Sequence, residues 1–222
     1  MKFYLPSMDN KTKFPPIEEA LDEPNGLLAF GGDLEVSTLI NAYSHGIFPW
    51  FSNQEPILWW SPNPRMVLFP KKIHLSKSFK RAIKRTKYTV HFDRDFQTVI
   101  DCCAKTRKDG LGTWITEDMK NAYLSLFKQG IAHCLEIDVD GKLIGGIYGV
   151  ALDNIFYGES MFSLKANGSK FALYELCKHL LNSQFKILDC QAHSDHLQSM
   201  GAEMISIREF KQYLPKNNDA DQ

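Results

Sequence analysis

Three strand-like segments joined by two tight turns, running from Ala132 to Ser163, leave this chain few folds to choose from. Ala132–Val139 alternates apolar and polar residues, Asp140-Gly141 is a strong hairpin signal, and Lys142–Leu152 runs back. Asp153-Asn154 then turns the chain into Ile155–Ser163. Connections this short join only antiparallel neighbours, so the expected core is a meander. In its third strand, period two puts Ile155, Tyr157 and Glu159 on one face and Phe156, Gly158 and Ser160 on the other. A carboxylate thus lands on an otherwise apolar face. Gly158 beside it lets the strand bulge or another backbone approach.

The flanking pattern completes an α+β reading with a mixed, mainly antiparallel sheet. Tyr88–Phe92 reads as a strand, and Phe96, Val99, Ile100 and Cys103 mark a helix. Thr116 reads as the N-cap of the next helix, with Glu117 and Asp118 in its first turn and Gly130 as its stop. After the meander, Asn167 or Ser169 opens a helix, Phe185–Cys190 is a buried-type strand, Asp195–Met200 is a short helix and Ile207–Leu214 a last amphipathic one. Upstream, Ser37 is placed to cap a helix that stops near Gly46. The expected division is a small Trp- and Pro-rich N-terminal domain, residues 1–63, followed by a larger domain, residues 64–222.

Three features carry candidate chemistry. The strand Lys186–Gln191 ends in Asp189 and Gln191, polar groups beside the Glu159 strand, and the plainer reading is a core Glu with an Asp capping a helix. Trp50, Trp59 and Trp60 lie on proline-held backbone, either as an interdomain seam or as a stacking platform for a base. Between Lys71 and Lys87 the chain carries only basic charge; Lys77, Lys80, Arg81, Lys84 and Arg85 fall on a helix from Ser76 to Thr86 whose other side holds Phe79 and Ile83. In a chain of zero net charge such a run is either a solvated face or a local seat for a phosphate backbone. Finally, the five cysteines, an odd number with no CxxC pair, argue against a disulfide framework and a metal site. The N-terminus lacks an apolar leader and no 18-residue apolar run occurs, which points to a cytoplasmic protein without a membrane partner.

The motifs Glu23–Leu34, Gly46–Phe51, Trp59–Arg65, Gly112–Thr116, Gly158–Ser163 and Asp189-Cys190-Gln191, in this order, resemble the bacterial leucyl/phenylalanyl-tRNA–protein transferase family. The resemblance spans nearly the whole chain and departs from the family pattern at Ser194, where Asn is common. It implies a GNAT-like acyltransferase domain. It also implies transfer of Leu, Phe or Met from aminoacyl-tRNA to the N-terminal Arg or Lys of a protein, marking that protein for N-degron proteolysis. No cofactor and no metal is implied, because an aminoacyl ester is already activated, and a monomer is expected.

By the same resemblance Asp189 and Gln191 are the catalytic pair, Asp189 receiving the incoming α-ammonium and Gln191 positioning it. Trp50 and Trp114 enclose the terminal adenosine, with Tyr43, Tyr123, Phe156, Glu159 and Ser160 completing the donor site. Beside the resemblance, an apolar side-chain pocket is expected, with Ile147, Leu173 and Leu188 as its lining or, more plainly, as ordinary core, and the basic run places Lys77, Lys80, Arg81, Lys84 and Arg85 on tRNA phosphates. Two alternatives stay open on the sequence. One is a coenzyme A-dependent N-acyltransferase, for which Ser163–Ser169 offers one glycine where a pyrophosphate loop wants two. The other is a non-catalytic tRNA-binding protein.

Overall fold

The computed structural model describes residues 5–9, 13–105 and 115–215. The chain first lays down a three-stranded antiparallel sheet in the order β1 (Leu27–Phe30), β3 (Leu58–Trp60), β2 (Phe48–Pro49). Helix α1 (Val36–Ser44) connects β1 to β2. Its entry is set upstream of Ser37, because the Asp33 carboxylate collects both the Glu35 amide and the Thr38 hydroxyl, at 3.0 and 2.6 Å. The expected Ser37 cap is therefore not formed.

Past Pro62 and Pro64 the chain enters a seven-stranded sheet at β4 (Arg65–Leu68). Then come α2 (Lys77–Arg85), β5 (Thr89–Phe92), α3 (Phe96–Ala104) and α4 (Glu117–Lys128). Ser76 and Thr116 cap α2 and α4 through their side chains, as expected of hydroxyls before polar first turns. The meander is β6 (Ala132–Val139), β7 (Lys142–Leu152) and β8 (Ile155–Ser163). Helix α5 (Gly168–Asn182) crosses over to β9 (Ile187–Gln191), followed by α6 (Asp195–Ser199), β10 (Glu203–Ile205) and α7 (Ile207–Phe210). The last helix is one turn rather than the expected Ile207–Leu214; the chain then continues through turns that bring Tyr213 and Leu214 onto the core.

The sheet order is β10-β4-β9-β8-β7-β6-β5, antiparallel throughout except for the parallel pair β8–β9 that the α5 crossover creates. It is an α+β arrangement with a mixed, mainly antiparallel sheet, both faces of which are covered. On one face Ile155, Tyr157 and Val150 pack with α1, α3, α4 and Trp59 of the small sheet. On the other, Phe156, Ile147, Leu135 and Leu188 pack with α5 and with Phe79 of α2. Alternation along β8 therefore feeds two separate apolar layers.

Candidate active site

Strand β8 breaks its alternation at one residue. Its pairing with β7 steps from Gly149↔Gly158 to Tyr148↔Ser160, so Glu159 has no partner and forms a bulge. The register needs a glycine opposite, since a Cβ on Gly149 would lie 2.1 Å from the Tyr157 carbonyl oxygen. Beyond the bulge the faces exchange: Phe162 joins the layer of Ile155 and Tyr157, while Met161 packs in the α5 layer. Ser160 consequently bonds Cys103 of α3, on the face expected for Glu159 rather than the opposite one. Strict period two misplaced it because one extra residue reverses the count.

The Glu159 carboxylate, on a residue only 8% exposed, is received by three donors. Tyr43 and Tyr123 donate their hydroxyls to Oε1 and Oε2 at 2.7 and 2.6 Å, and the two hydroxyl oxygens lie 2.7 Å apart. Gln191 donates Nε2 to Oε1 at 2.9 Å. Burial pushes the Glu159 carboxyl up to about 7, against the opposing pull of the tyrosine hydrogen bonds. Burial and the Glu159 charge push the Tyr43 and Tyr123 phenols well above their ordinary value, so both stay protonated donors. Tyr157 supports the cluster from below, its hydroxyl donating to the Tyr43 carbonyl at 2.6 Å.

Gln191 reaches Glu159 because β8 and β9 pair only from Ile155↔Ile187 to Tyr157↔Asp189 and then part. Its backbone is in the left-handed region, φ +65°, and its amide donates to Asp189 Oδ1 at 2.8 Å. Next to a carboxylate, the NH2 of the side chain must face Glu159, which leaves Gln191 Oε1 as the acceptor turned elsewhere.

Asp189 itself does not fit the direct role expected for it. Its carboxylate is fully buried and gripped by Arg65, Nε to Oδ1 at 2.9 Å and Nη2 to Oδ2 at 2.6 Å. With three donors already on it and no surface exposed, this carboxylate is built to hold Arg65 and the Gln191 backbone rather than to receive an ammonium from solvent. The correction follows from a partner 124 residues away in sequence. Arg65 is the partner of Asp189 that the residue pattern did not announce. The available signal was a lone cation opening the otherwise apolar strand Arg65-Met66-Val67-Leu68.

The remaining candidates fall into three places. Trp50 is 45% exposed and packs at 5.4 Å on Trp60, whose indole donates to the Trp50 carbonyl at 2.6 Å. Trp114 lies outside the described residues. Under α5 is a cavity of about 240 Å³ lined by Ile147, Phe156, Leu135, Leu176 and Leu180, with half-exposed Phe92 packed at a tilt on His179 among its lining residues. Leu173 and Leu188 are closed core residues of the same layer and do not line it. On α2, Lys77, Lys80, Arg81, Lys84 and Arg85 are all exposed, while Phe79 packs at 5.2 Å on Phe171 of α5.

The sequence profile of the leucyl/phenylalanyl-tRNA protein transferase matches residues 67–215, and the profile of that protein's N-terminal domain matches residues 32–63. The leucyl/phenylalanyl-tRNA–protein transferase of Pseudomonas fluorescens is 50% identical over 210 residues, 95% of this chain and 93% of that protein. That of Nitrosospira multiformis is 48% identical over 95% of this chain and 90% of its own length. Among solved structures, L-PGS from Bacillus licheniformis aligns at 15% identity and a TM-score of 0.39, over 64% of this chain and 45% of that one. A GCN5-related N-acetyltransferase from Kribbella flavida aligns at 9% and 0.40, over 74% and 58%.

Proposed function

The chain belongs to the leucyl/phenylalanyl-tRNA–protein transferase family, and from that premise we propose how its site performs aminoacyl transfer to a protein. The donors are Leu-, Phe- or Met-tRNA, the acceptor is an N-terminal Arg or Lys, and the product is a new peptide bond that marks the acceptor for N-degron proteolysis. The α-amine attacks the ester carbonyl, a C–N bond forms, the C–O bond to the terminal ribose breaks, and the leaving oxygen takes a proton. The ester is already activated, so the protein's part is to align the reactants. Gln191 does this through Oε1, accepting from the amine, while Nε2 is held by Glu159. Glu159, with Tyr43 and Tyr123 behind it, faces the aminoacyl end. Asp189 acts through Gln191 as a positioning residue and not by touching the amine.

The terminal adenosine stacks on Trp50, which Trp60 backs, and Trp114 is the second wall by family resemblance. The side chain of the donor enters the cavity beside Ile147 and Phe156. Residues 1–63 act as a unit that supplies Trp50 and Tyr43 to the donor site, on a body formed by residues 64–222. The basic face of α2 meets tRNA phosphates. Among the described residues no helix is long and apolar enough to cross a membrane, and we place the protein, as a monomer, in the cytoplasm with its tRNA donors.

The observation that carries this reading of the site is the Gln191–Glu159 contact where β8 and β9 part. A coenzyme A donor is disfavoured by the start of α5. There Gly168 presses on β7, where a Cβ would lie 2.1 Å from the Ile144 carbonyl oxygen, and the Ser169 amide is taken by Ser163 Oγ at 2.8 Å. The first-turn amide that would seat a pyrophosphate is thus already engaged. Incubation with Phe-tRNA and an Arg-initiated peptide should extend the peptide by one phenylalanine, and acetyl-coenzyme A should give no product. Transfer from acetyl-coenzyme A alone would overturn the reading.

A further inference from the structure

Arg65 is buried to 0% exposure in a position where a cation needs a reason. Its guanidinium lies 4.8 Å from the ring centre of Phe48 on β2 and 4.8 Å from that of Phe210 on α7. Two of its nitrogens hold Asp189, and Nη1 has no hydrogen-bond partner among the described residues. Asp189 Oδ1 accepts from both Arg65 Nε and the Gln191 amide. The Gln191 residue so held is in a left-handed conformation, which is unfavourable for a non-glycine residue and persists only where its surroundings impose it. From there the Gln191 side chain reaches Glu159. One line of contacts therefore runs from two aromatic rings, through a guanidinium and a carboxylate, to the amide at the reacting centre.

We propose that Arg65 is a positioning residue for aminoacyl transfer: its two-pronged grip on Asp189, clamped between Phe48 and Phe210, fixes the backbone of Gln191 and so the aim of its side chain. This rests on the functional reading above. A buried ion pair is seldom kept for stability, since apolar residues of similar volume serve as well or better. The fork is what a point charge lacks: two parallel N–H donors set both the distance and the rotation of the carboxylate plane. Phe48 and Phe210 come from opposite ends of the chain, so the clamp also ties the small sheet and the last helix to the reacting strand.

Four variants test this: R65K, R65M, D189N and R65M/D189N, each assayed for Phe transfer from Phe-tRNA and checked for folding by circular dichroism. R65K keeps the charge and loses the fork. It should remain folded, with KM for Phe-tRNA within about 3-fold of wild type and kcat lowered by roughly 10-fold or more, because misplacement by about 1 Å costs on the order of 10²-fold. R65M should lose more, again in kcat. Because Arg65 acts only through Asp189, R65M/D189N should be no slower than the worse single variant. R65K at wild-type kcat would overturn the proposal, and so would failure of R65K to fold, which would make the pair a stability element. Losses in R65M and D189N that multiply in the double variant would overturn it as well. Wild-type transfer in the same assay keeps failure of the functional reading separate from failure of this one.

Discussion

Gln191 hands its side-chain amide to Glu159 across the gap where β8 and β9 part, Nε2 to Oε1 at 2.9 Å. The rest of the site is arranged around what that carboxyl can hold. Three short oxygen contacts join Glu159, Tyr43 and Tyr123, yet two phenols supply only two protons. When the Glu159 carboxyl is protonated, it can donate to one phenol, which turns its own hydroxyl to the other, so that each contact has its own donor in a closed ring. That is the arrangement burial favours.

The first prediction follows from this proton. The Glu159 carboxyl titrates at about 7 in the folded protein and near 4.5 in the unfolded chain, so the folded state binds the proton more tightly. Its stabilising contribution is complete below about pH 4.5 and is lost as pH rises through about 7, amounting to roughly 3 kcal/mol. Urea unfolding of wild type and E159Q across this range isolates the term as the difference between two curves. Wild type should lose stability relative to E159Q as pH rises. Parallel curves would mean Glu159 is an ordinary carboxylate.

Asp189→Ala should be destabilising before it is inactive. It strands the Arg65 guanidinium in the core, and breaking one side of a buried pair costs about 3–5 kcal/mol. The exposed pair Lys72–Glu203, at 2.6 Å, is the internal control; Glu203→Ala should change stability by no more than about 1 kcal/mol. Thermal melts of the two variants under one buffer make the comparison. Equal effects would show that the buried pair is not taut.

Much of this was legible in the residues. The meander and the Thr116 cap follow from turn and cap chemistry, and Gly158 left a bulge as one of two readings, all signals that act within a few positions. What stayed hidden depends on distance. Asp189 at a strand end was visible, but its engagement by Arg65 joins positions 65 and 189 through pairing of β4 with β9, and nothing local announces which cation meets which acid. Ser160 was misplaced for a subtler reason: the glycine left room for a bulge, but did not fix which residues would change faces after it. Arg65 itself was read only as the end of a Trp- and Pro-rich motif.

Trp50→Ala should weaken binding of aminoacyl-tRNA without loosening the fold, because the ring is 45% exposed and packs chiefly on Trp60. Loss of one stacking platform is worth about 1–3 kcal/mol, or roughly 5–150-fold in affinity. Filter binding and a melting curve on the same preparation test both halves. Unchanged affinity would leave Trp50 as a surface residue only.

Reversing Lys80, Arg81, Lys84 and Arg85 to Glu should lower tRNA affinity whatever amino acid the tRNA carries. All four are exposed on α2, and Phe79 still anchors the helix to Phe171. Wild-type affinity should fall steeply with salt as counterions are released, and the variant's slope should flatten. A variant with the wild-type slope would make α2 a solvated face.

The last prediction concerns how the donor is chosen. The cavity under α5 is mostly apolar, about 240 Å³, lined by Leu176 among others and with Asp93, His133 and His179 as its polar lining. Such a space discriminates by shape, and a methylene-scale difference is worth about 1–3 kcal/mol, or 10–200-fold. Ile and Val, wide at Cβ, should be poor donors beside Leu and Phe. Leu176→Phe shortens the cavity at its own wall, so it should cost the Phe donor more than the Leu donor. Because the added ring fills existing space, melting temperature should move little. Competition between Phe-tRNA and Leu-tRNA in one reaction gives the ratio of kcat/KM directly, and that ratio should shift toward Leu by roughly 10-fold or more. A ratio equal to wild type in a folded variant would place the donor side chain outside this cavity.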